Sequence, residues 1–284
     1  MSPSTPSPET IEAAFTPFRQ RMLDAGLSDS AIRAFRGSYT ALQAGETGMI
    51  PEASIAAAKD LPCADTLTPP DDLRAAELFK QTVLIKLNGG LGTGMGLEKA
   101  KSLLPVRGED TFLDLIARQV LRLRDQTGGE VPVFMLMNSF STSQDTAEHL
   151  QSKFPQLGGR ETWELMQNKV PKVLASSLEP AEWPTNPDQE WCPPGHGDIY
   201  ACLAGSGWLE RLLSSGVRYA FVSNSDNLGA TLDPSILAWF VESGMPFAME
   251  VTRRTESDKK GGHLAVRLRD GRFLLRESAQ CPKE

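Results

Sequence analysis

"TVLIKLNGGLGTGMG", residues 82–96, is the stretch on which the fold turns. Its first seven residues form a short β-branched, apolar run, the composition of a strand buried on both faces. The run then breaks into five glycines between Gly89 and Gly96, with Lys99 and Lys101 just beyond. Glycine loses more backbone freedom on folding than any other residue. Such a cluster therefore implies a group that approaches the backbone closely. Successive N–H groups in a glycine bend make an anion-binding nest, and lysine adds a compact point charge suited to phosphate. At about 4 Å and an effective dielectric near 20, one such charge contact is worth about 4 kcal/mol before desolvation. A tight strand-to-helix turn is the plainer explanation, and the trailing lysines tilt the reading toward phosphate. Lys101 runs into the apolar "SLLPV", which predicts a partly buried stem with its ammonium toward the site; Lys99, next to Glu98, reads as a solvated charge.

Two familiar glycine spacings do not fit. A P-loop needs glycine directly before Lys-Ser, where Ala100 stands, and the dinucleotide pattern needs glycine where Met95 stands. A P-loop kinase and a nicotinamide dehydrogenase are thereby disfavoured.

Working outward, "VPVFMLMN" (131–138), "RYAFVSNSDN" (218–227) and "PFAMEVTRR" (246–254) read as further strands. Between them lie helical stretches. "TFLDLIARQVLRL" (111–123) is one. Ser141 and Gln144 have capping-box spacing ahead of a second. "DPSILAWFVESG" (233–244) carries Asp233, Pro234 and Gly244 at the positions that start and stop a third. Residues 9–58 read as helices, with Ile11, Phe15, Phe18 and Met22 at helical spacing and Ala31, Phe35 and Leu42 on a second. Amphipathic helices of this kind usually pack on their own domain. The alternation predicts an α/β fold with a mainly parallel sheet covered on both faces. Ligands of such sheets sit at the carboxyl ends of the strands, which places "NGGLGTGMG", "NSFSTS" and "SNSDNLGA" at the expected site.

The bulk properties set limits. At 284 residues the chain can bury about three quarters of its unfolded surface. A formal charge of −7 disfavours a general nucleic-acid binder, so phosphate recognition has to be local. No apolar run nears the ~18 residues of a membrane span, and the "MSPSTPSPET" opening lacks the pattern of a secretory signal. Cys63, Cys192, Cys202 and Cys281 are scattered without a CxxC pair, which suits reduced thiols and a cytoplasmic setting.

Two more stretches carry candidate chemistry. In "WCPPGHGDIYACL" (191–203), two prolines and Gly-His-Gly stiffen the chain ahead of a helix beginning near Asp198. A helix N-terminus favours anions, and His196 sits at that end. A lone histidine is as readily structural as catalytic, and both readings stand. In "SNSDNLGA" (223–230), Asp226 at a strand tip suits a magnesium ligand completed by substrate phosphates. The same residues also suit Asx-turn capping by Asn224, Asp226 and Asn227.

Taken together, "KLNGGLGTGMG…KS", "LMNSFST..DT", "PPGHGDIY", "VSNSDNLGAT" and "MEVTRRT..DKKGG" resemble the UDP-glucose pyrophosphorylase (UTP–glucose-1-phosphate uridylyltransferase) family, in family order over roughly residues 80–284. The resemblance implies a Rossmann-like nucleotidyltransferase that joins UTP to glucose 1-phosphate with Mg²⁺. It implies that the backbone of Leu87, Gly89 and Gly90 contacts the uracil and phosphates, that Lys101 neutralises the triphosphate, and that Gln167 bonds the uracil with Gly195 nearby. His196, Asn224 and Asp226 would address phosphates and sugar, Asp226 would hold the metal, and Lys260, Gly261 and Gly262 would help form the sugar pocket. On this likeness residues 1–78 form an N-terminal helical segment, and 79–284 a catalytic domain incomplete at its C-terminus, without the family's β-helical C-terminal domain. The pair before the catalytic lysine is Lys99–Ala100, where the family usually has Gly–Pro. The related UDP-N-acetylhexosamine pyrophosphorylases match at the glycine loop, but "PPGHGDIY" fits the glucose type better. A non-catalytic UTP-binding fragment is the other alternative.

Overall fold

The computed structural model describes residues 7–90, 100–129, 132–258 and 261–282. Helices α1 (Pro8–Asp24) and α2 (Asp29–Gln43) come first, then strand β1 (Ile55–Ala57) and helix α3 (Asp72–Lys80). Strand β2 (Thr82–Asn88) leads into the glycine-rich stretch. After it come β3 (Pro105–Arg107), β4 (Asp110–Thr111), α4 (Phe112–Thr127), β5 (Val133–Asn138) and α5 (Ser143–Lys153). A single turn, α6 (Arg160–Trp163), is followed by β6 (Glu164–Met166), β7 (Val170–Pro171), β8 (Trp191–Cys192), α7 (Ile199–Gly205), α8 (Trp208–Ser214) and β9 (Tyr219–Asn224). Last are α9 (Pro234–Ser243), β10 (His263–Arg267) and β11 (Phe273–Arg276). Contacts group Met1–Ala44 with Asp71–Asp233, and Gly45–Pro70 with Pro234–Glu284. The first two helices therefore belong with the large sheet, and the contacts do not cut the chain at 78/79.

In the first unit four strands run parallel in the order β6-β5-β2-β9. β2 is a central strand, buried at every position but Leu87. Because side chains alternate across a strand, its two faces feed two cores. Leu84 packs with Leu113, Ile116, Val120, Phe134 and Leu136 on the side of α4 and α5. Val83 and Ile85 pack with Met135, Met137, Ile199, Trp208 and Leu212 on the side of α7 and α8. Truncating a core leucine or isoleucine here to alanine is expected to cost about 2–5 kcal/mol.

α4 forms where its pattern and caps agree. Leu113, Ile116, Ala117 and Val120 face inward at i, i+3, i+4 and i+7, Thr111 and Asp114 close a reciprocal capping box, and Gly128 ends the helix at φ +71°. α1 and α2 meet through Phe15, Phe18, Phe35 and Tyr39, with the Phe18 and Tyr39 ring centroids 4.8 Å apart. Val170 and Trp191 of β7 and β8 pack on this cluster. The Tyr39 hydroxyl donates to the Leu178 carbonyl at 3.0 Å. The opening helices are thus part of the domain's own core.

In the second unit β1, β10 and β11 form an antiparallel sheet, with Ile55 opposite Arg267 and His263 opposite Arg276. Arg276, almost wholly buried, is ion-paired to Glu52.

Three expectations change. Helix ends at Gln43 rather than near residue 58, because Gly45 and Gly48 take positive φ and Pro51 follows. The box expected from Ser141 and Gln144 is not made. Helix α5 starts at Ser143 behind Thr142, whose hydroxyl accepts from the Ser139 N–H at 3.0 Å, while Gln144 donates to Glu148. Residues 246–254 form no strand. Met245, Phe247, Met249 and Val251 keep the alternation but are 61%, 62%, 49% and 42% exposed. Alternation is a stable strand only where a neighbour pairs its backbone. Among the described residues no helix is long and apolar enough to cross a membrane.

Candidate functional site

The parallel register brings the polar strand tips level. Asn88 lies opposite Asn138, Asn138 opposite Met166, and Leu87 opposite Asn224. Gly89 and Gly90, Gln167 and the "SNSDN" turn are thereby set along one edge of the sheet, at the carboxyl ends where α/β folds bind ligands.

Beneath that edge runs a buried chain of hydrogen bonds. The Asn88 side-chain amide donates to Asn138 Oδ1 at 2.7 Å and Thr146 Oγ1 at 3.1 Å, and its oxygen accepts from the Ser225 hydroxyl at 3.0 Å. Asn138 in turn donates to Glu164 Oε1 at 2.8 Å, and Glu164 pairs with Arg160. Each amide has its partners, which is what makes a buried polar group tolerable. The network ties the tips of β9, β2, β5 and β6 together. Reading the sequence missed these residues as functional. The paired endings "KLN" and "LMN" were the available signal, since two asparagines closing successive parallel strands can meet only at the site.

Above the network, three expected residues come into contact. Gln167 is 5% exposed; its N–H donates to the Asn138 carbonyl at 2.7 Å and its side-chain amide to the Gly195 carbonyl at 2.9 Å. Its Oε1 has no hydrogen-bond partner among the described residues and sits over Gly89. A Cβ built on Gly89 would lie 2.4 Å from that oxygen. A side chain at Gly89 would therefore have to push the Gln167 carboxamide aside. At Gly195 glycine is required by the backbone: its φ of +98° and ψ of 175° suit no other residue.

A second tie holds the same corner. Asp198 accepts from the Asn168 N–H at 2.8 Å and from its side-chain amide at 3.0 Å, and it also accepts from the Cys202 thiol at 2.9 Å. Burial, followed by the hydrogen bond to Asp198, pushes the Cys202 thiol far above the usual range, so it stays protonated. The sequence "HGD" thus divides its labour. Asp198 is buried and structural, whereas His196, on the same turn, is exposed and makes no side-chain hydrogen bond to a described residue.

The phosphate side is built differently. The Lys101 N–H donates to the Gly90 carbonyl at 3.3 Å, and Lys101 opens a short turn to Leu103. Its ammonium lies 4.0 Å from Asp226 Oδ2, both side chains being more than two-fifths exposed. An exposed pair at that distance contributes little to stability. Asn224 is exposed and its carbonyl accepts from the Asn227 N–H at 3.2 Å, so the turn beside the Asp226 carboxylate is closed by a backbone bond rather than by the Asx side-chain capping expected. Among the described residues no group of three or more His, Cys, Asp or Glu side chains converges. A lone carboxylate of this kind suits a magnesium ion that keeps waters and takes phosphate oxygens, and does not suit an all-protein metal cage.

Gly92, Gly94, Gly96 and Lys99, singled out in the sequence, lie outside the described residues, as does Lys260. Gly261 and Gly262 belong to the second unit, where the Gly261 N–H donates to the Asp258 carbonyl at 2.9 Å and Gly262 lies against the Arg276 backbone.

Comparison with known proteins supplies the remaining finding. The family model for UTP–glucose-1-phosphate uridylyltransferase matches residues 33–284. The chain is 46% identical over 209 residues to the UTP–glucose-1-phosphate uridylyltransferase of Saccharomyces cerevisiae, covering 72% of this chain and 40% of that protein. It is 43% identical to the Hordeum vulgare protein of the same name, covering 78% and 46% respectively. Among solved structures, a Leishmania major UDP-glucose pyrophosphorylase in complex with UDP-glucose superposes with a TM-score of 0.88 at 49% identity, over 95% of this chain and 58% of that one. The chain spans about half the length of the relatives it matches.

Proposed function

Because the chain belongs to the UTP–glucose-1-phosphate uridylyltransferase family, we propose that it binds UTP at the tip of β2 and acts in making UDP-glucose and pyrophosphate from UTP and glucose 1-phosphate. The observation that carries this reading is the contact of Gln167 with both Gly89 and Gly195. It holds a carboxamide oxygen that bonds to no described residue over the side-chain-free backbone of Gly89. Uracil offers an N–H flanked by two carbonyls, and the Gln167 Oε1 can accept from it while Leu87, Gly89 and Gly90 present only backbone to the ring and phosphates.

In the proposed reaction a phosphate oxygen of glucose 1-phosphate attacks the α-phosphorus of UTP. The new P–O bond forms as the bond to the pyrophosphate oxygen breaks, and that electron pair leaves with pyrophosphate. No protein nucleophile is needed, so the chain contributes alignment and charge. Lys101 neutralises the triphosphate. Mg²⁺, held by Asp226 together with phosphate oxygens, would draw off negative charge. His196 and Asn224 address the phosphates and the sugar, and the resemblance adds Lys260, Gly261 and Gly262 to the sugar's contacts. The four cysteines are free thiols, which fits the cytoplasmic setting we assign.

The test pairs calorimetry of UTP with Mg²⁺ and a turnover assay. Heat of binding with turnover on glucose 1-phosphate and none on N-acetylglucosamine 1-phosphate is expected. Turnover on the acetylated sugar alone would overturn the substrate. The partial coverage of its relatives favours one further reading, a UTP-binding chain that needs more sequence for chemistry, and binding without turnover would establish it.

A further inference from the structure

Lys86 is a buried charge at the site edge that the nucleotide reading leaves without a task. It lies on β2 directly opposite Ser223, on the Leu84 face of the sheet, and is 2% exposed. Its ammonium donates to the Ser223 hydroxyl at 2.7 Å and to the Ala230 carbonyl at 2.9 Å, and it stands 5.7 Å from the Phe221 ring. Among the described residues no carboxylate pairs with it. A buried ammonium without a counter-ion is costly, and an apolar residue of similar volume would serve packing better. Burial pulls its pKa down to about 8, which still leaves it charged near neutrality.

The two oxygens it holds explain the charge. Ser223 and Ala230 bracket the turn that carries Asp226. Between them the Ser225 N–H donates to the Leu87 carbonyl at 3.0 Å, and the Asn227 N–H to the Asn224 carbonyl at 3.2 Å. The carboxylate at the apex has only the exposed Lys101 contact among the described residues. The turn's geometry is therefore set from below, by a cation whose two hydrogen bonds close its base.

We propose that Lys86 is a positioning residue: by tying Ser223 to Ala230 it holds the Asp226 turn in the shape that receives a magnesium-bound triphosphate. This rests on the UTP reading above. It predicts a selective defect, in the metal-dependent part of binding rather than in binding of the base.

The experiment measures UTP affinity with and without Mg²⁺ by calorimetry on the full chain, for the native protein, Lys86→Met and Ser223→Ala. Amide hydrogen exchange of the 224–230 turn is followed alongside. Since charge-assisted hydrogen bonds are among the stronger ones, Lys86→Met is expected to cut the gain from Mg²⁺ by about fivefold, to leave metal-free UTP and uridine binding unchanged, and to speed exchange in the turn but not in β5. Ser223→Ala, which keeps the ammonium and one of its bonds, is expected to show the same pattern at about twofold. A folded Lys86→Met protein with the native gain and native exchange overturns the proposal. If that variant does not fold, an unshifted gain and unshifted exchange in Ser223→Ala overturn it instead. Absence of UTP binding by the native chain would sink the nucleotide reading, a result separate from any change between variants.

Discussion

The two halves of the candidate site are made in opposite ways. Gly89, Gln167 and Gly195 are locked to one another through a buried side chain, a close backbone approach and a φ open only to glycine. Lys101 and Asp226 stand in solvent, 4.0 Å apart, with room to part. The first half is held by the protein's own buried contacts. The second is held, among the described residues, by one long and exposed ion pair. On the proposed reading, base recognition is built into the folding of the chain, and phosphate recognition is finished by the ligand and its metal.

On the Leu84 face of the sheet, Asp114 joins α4 to α5. Burial pushes the Asp114 carboxyl up, but hydrogen bonds from the Thr111 N–H, His149, the Thr111 hydroxyl and Lys153 outweigh it and hold the pKa at about 2. A carboxyl depressed from 3.8 adds stability above its unfolded value and loses it as pH falls through its folded one. Asp114→Asn is therefore expected to cost about 2 kcal/mol near neutral pH. In denaturant titrations the gap should close as the pH drops below about 4 toward 2; a pH-independent gap would show that the carboxylate's charge is not what matters.

Next in size, Lys101→Ala is expected to weaken UTP with Mg²⁺ by about tenfold or more, and kcat/KM by a similar factor, while uridine affinity stays put. Equal loss for both ligands would erase the distinction between the halves. Gly89→Ala tests the other side. Its methyl must displace the Gln167 carboxamide, so uridine and UTP should weaken together, by about fivefold, with a modest fall in Tm. A loss confined to UTP would put the base elsewhere. The smallest effect is that of salt. Raising ionic strength from about 0.05 M to about 0.5 M should weaken UTP by about threefold and leave uridine unchanged, because exposed charges are screened and a buried hydrogen bond is not.

Much of this arrangement could be read along the chain. β2, β5 and β9 lie where short apolar runs end in polar tips, and α4 lies where heptad-like spacing meets a Thr cap and a terminal glycine. These are local signals, and local physics decides them. Residues 246–254 carried the same kind of signal and failed, since an alternating run becomes a strand only beside another strand, which no single segment specifies. Ser225 and Lys86 were silent for a related reason. Their partners lie far along the chain and meet them only through the parallel register. Asp198 is the sharpest case: it stands two residues from His196 in a motif singled out for anion binding, yet its carboxylate is spent on Asn168 and Cys202.

The most direct measurement is an amide-resolved NMR titration of the ¹⁵N-labelled chain with UTP in the presence of Mg²⁺. The account predicts that the resonances of Gly89, Gly90, Gln167 and Asn168 move together, saturably and with one dissociation constant. Saturable shifts confined to other parts of the chain, or no shifts at all, would contradict it.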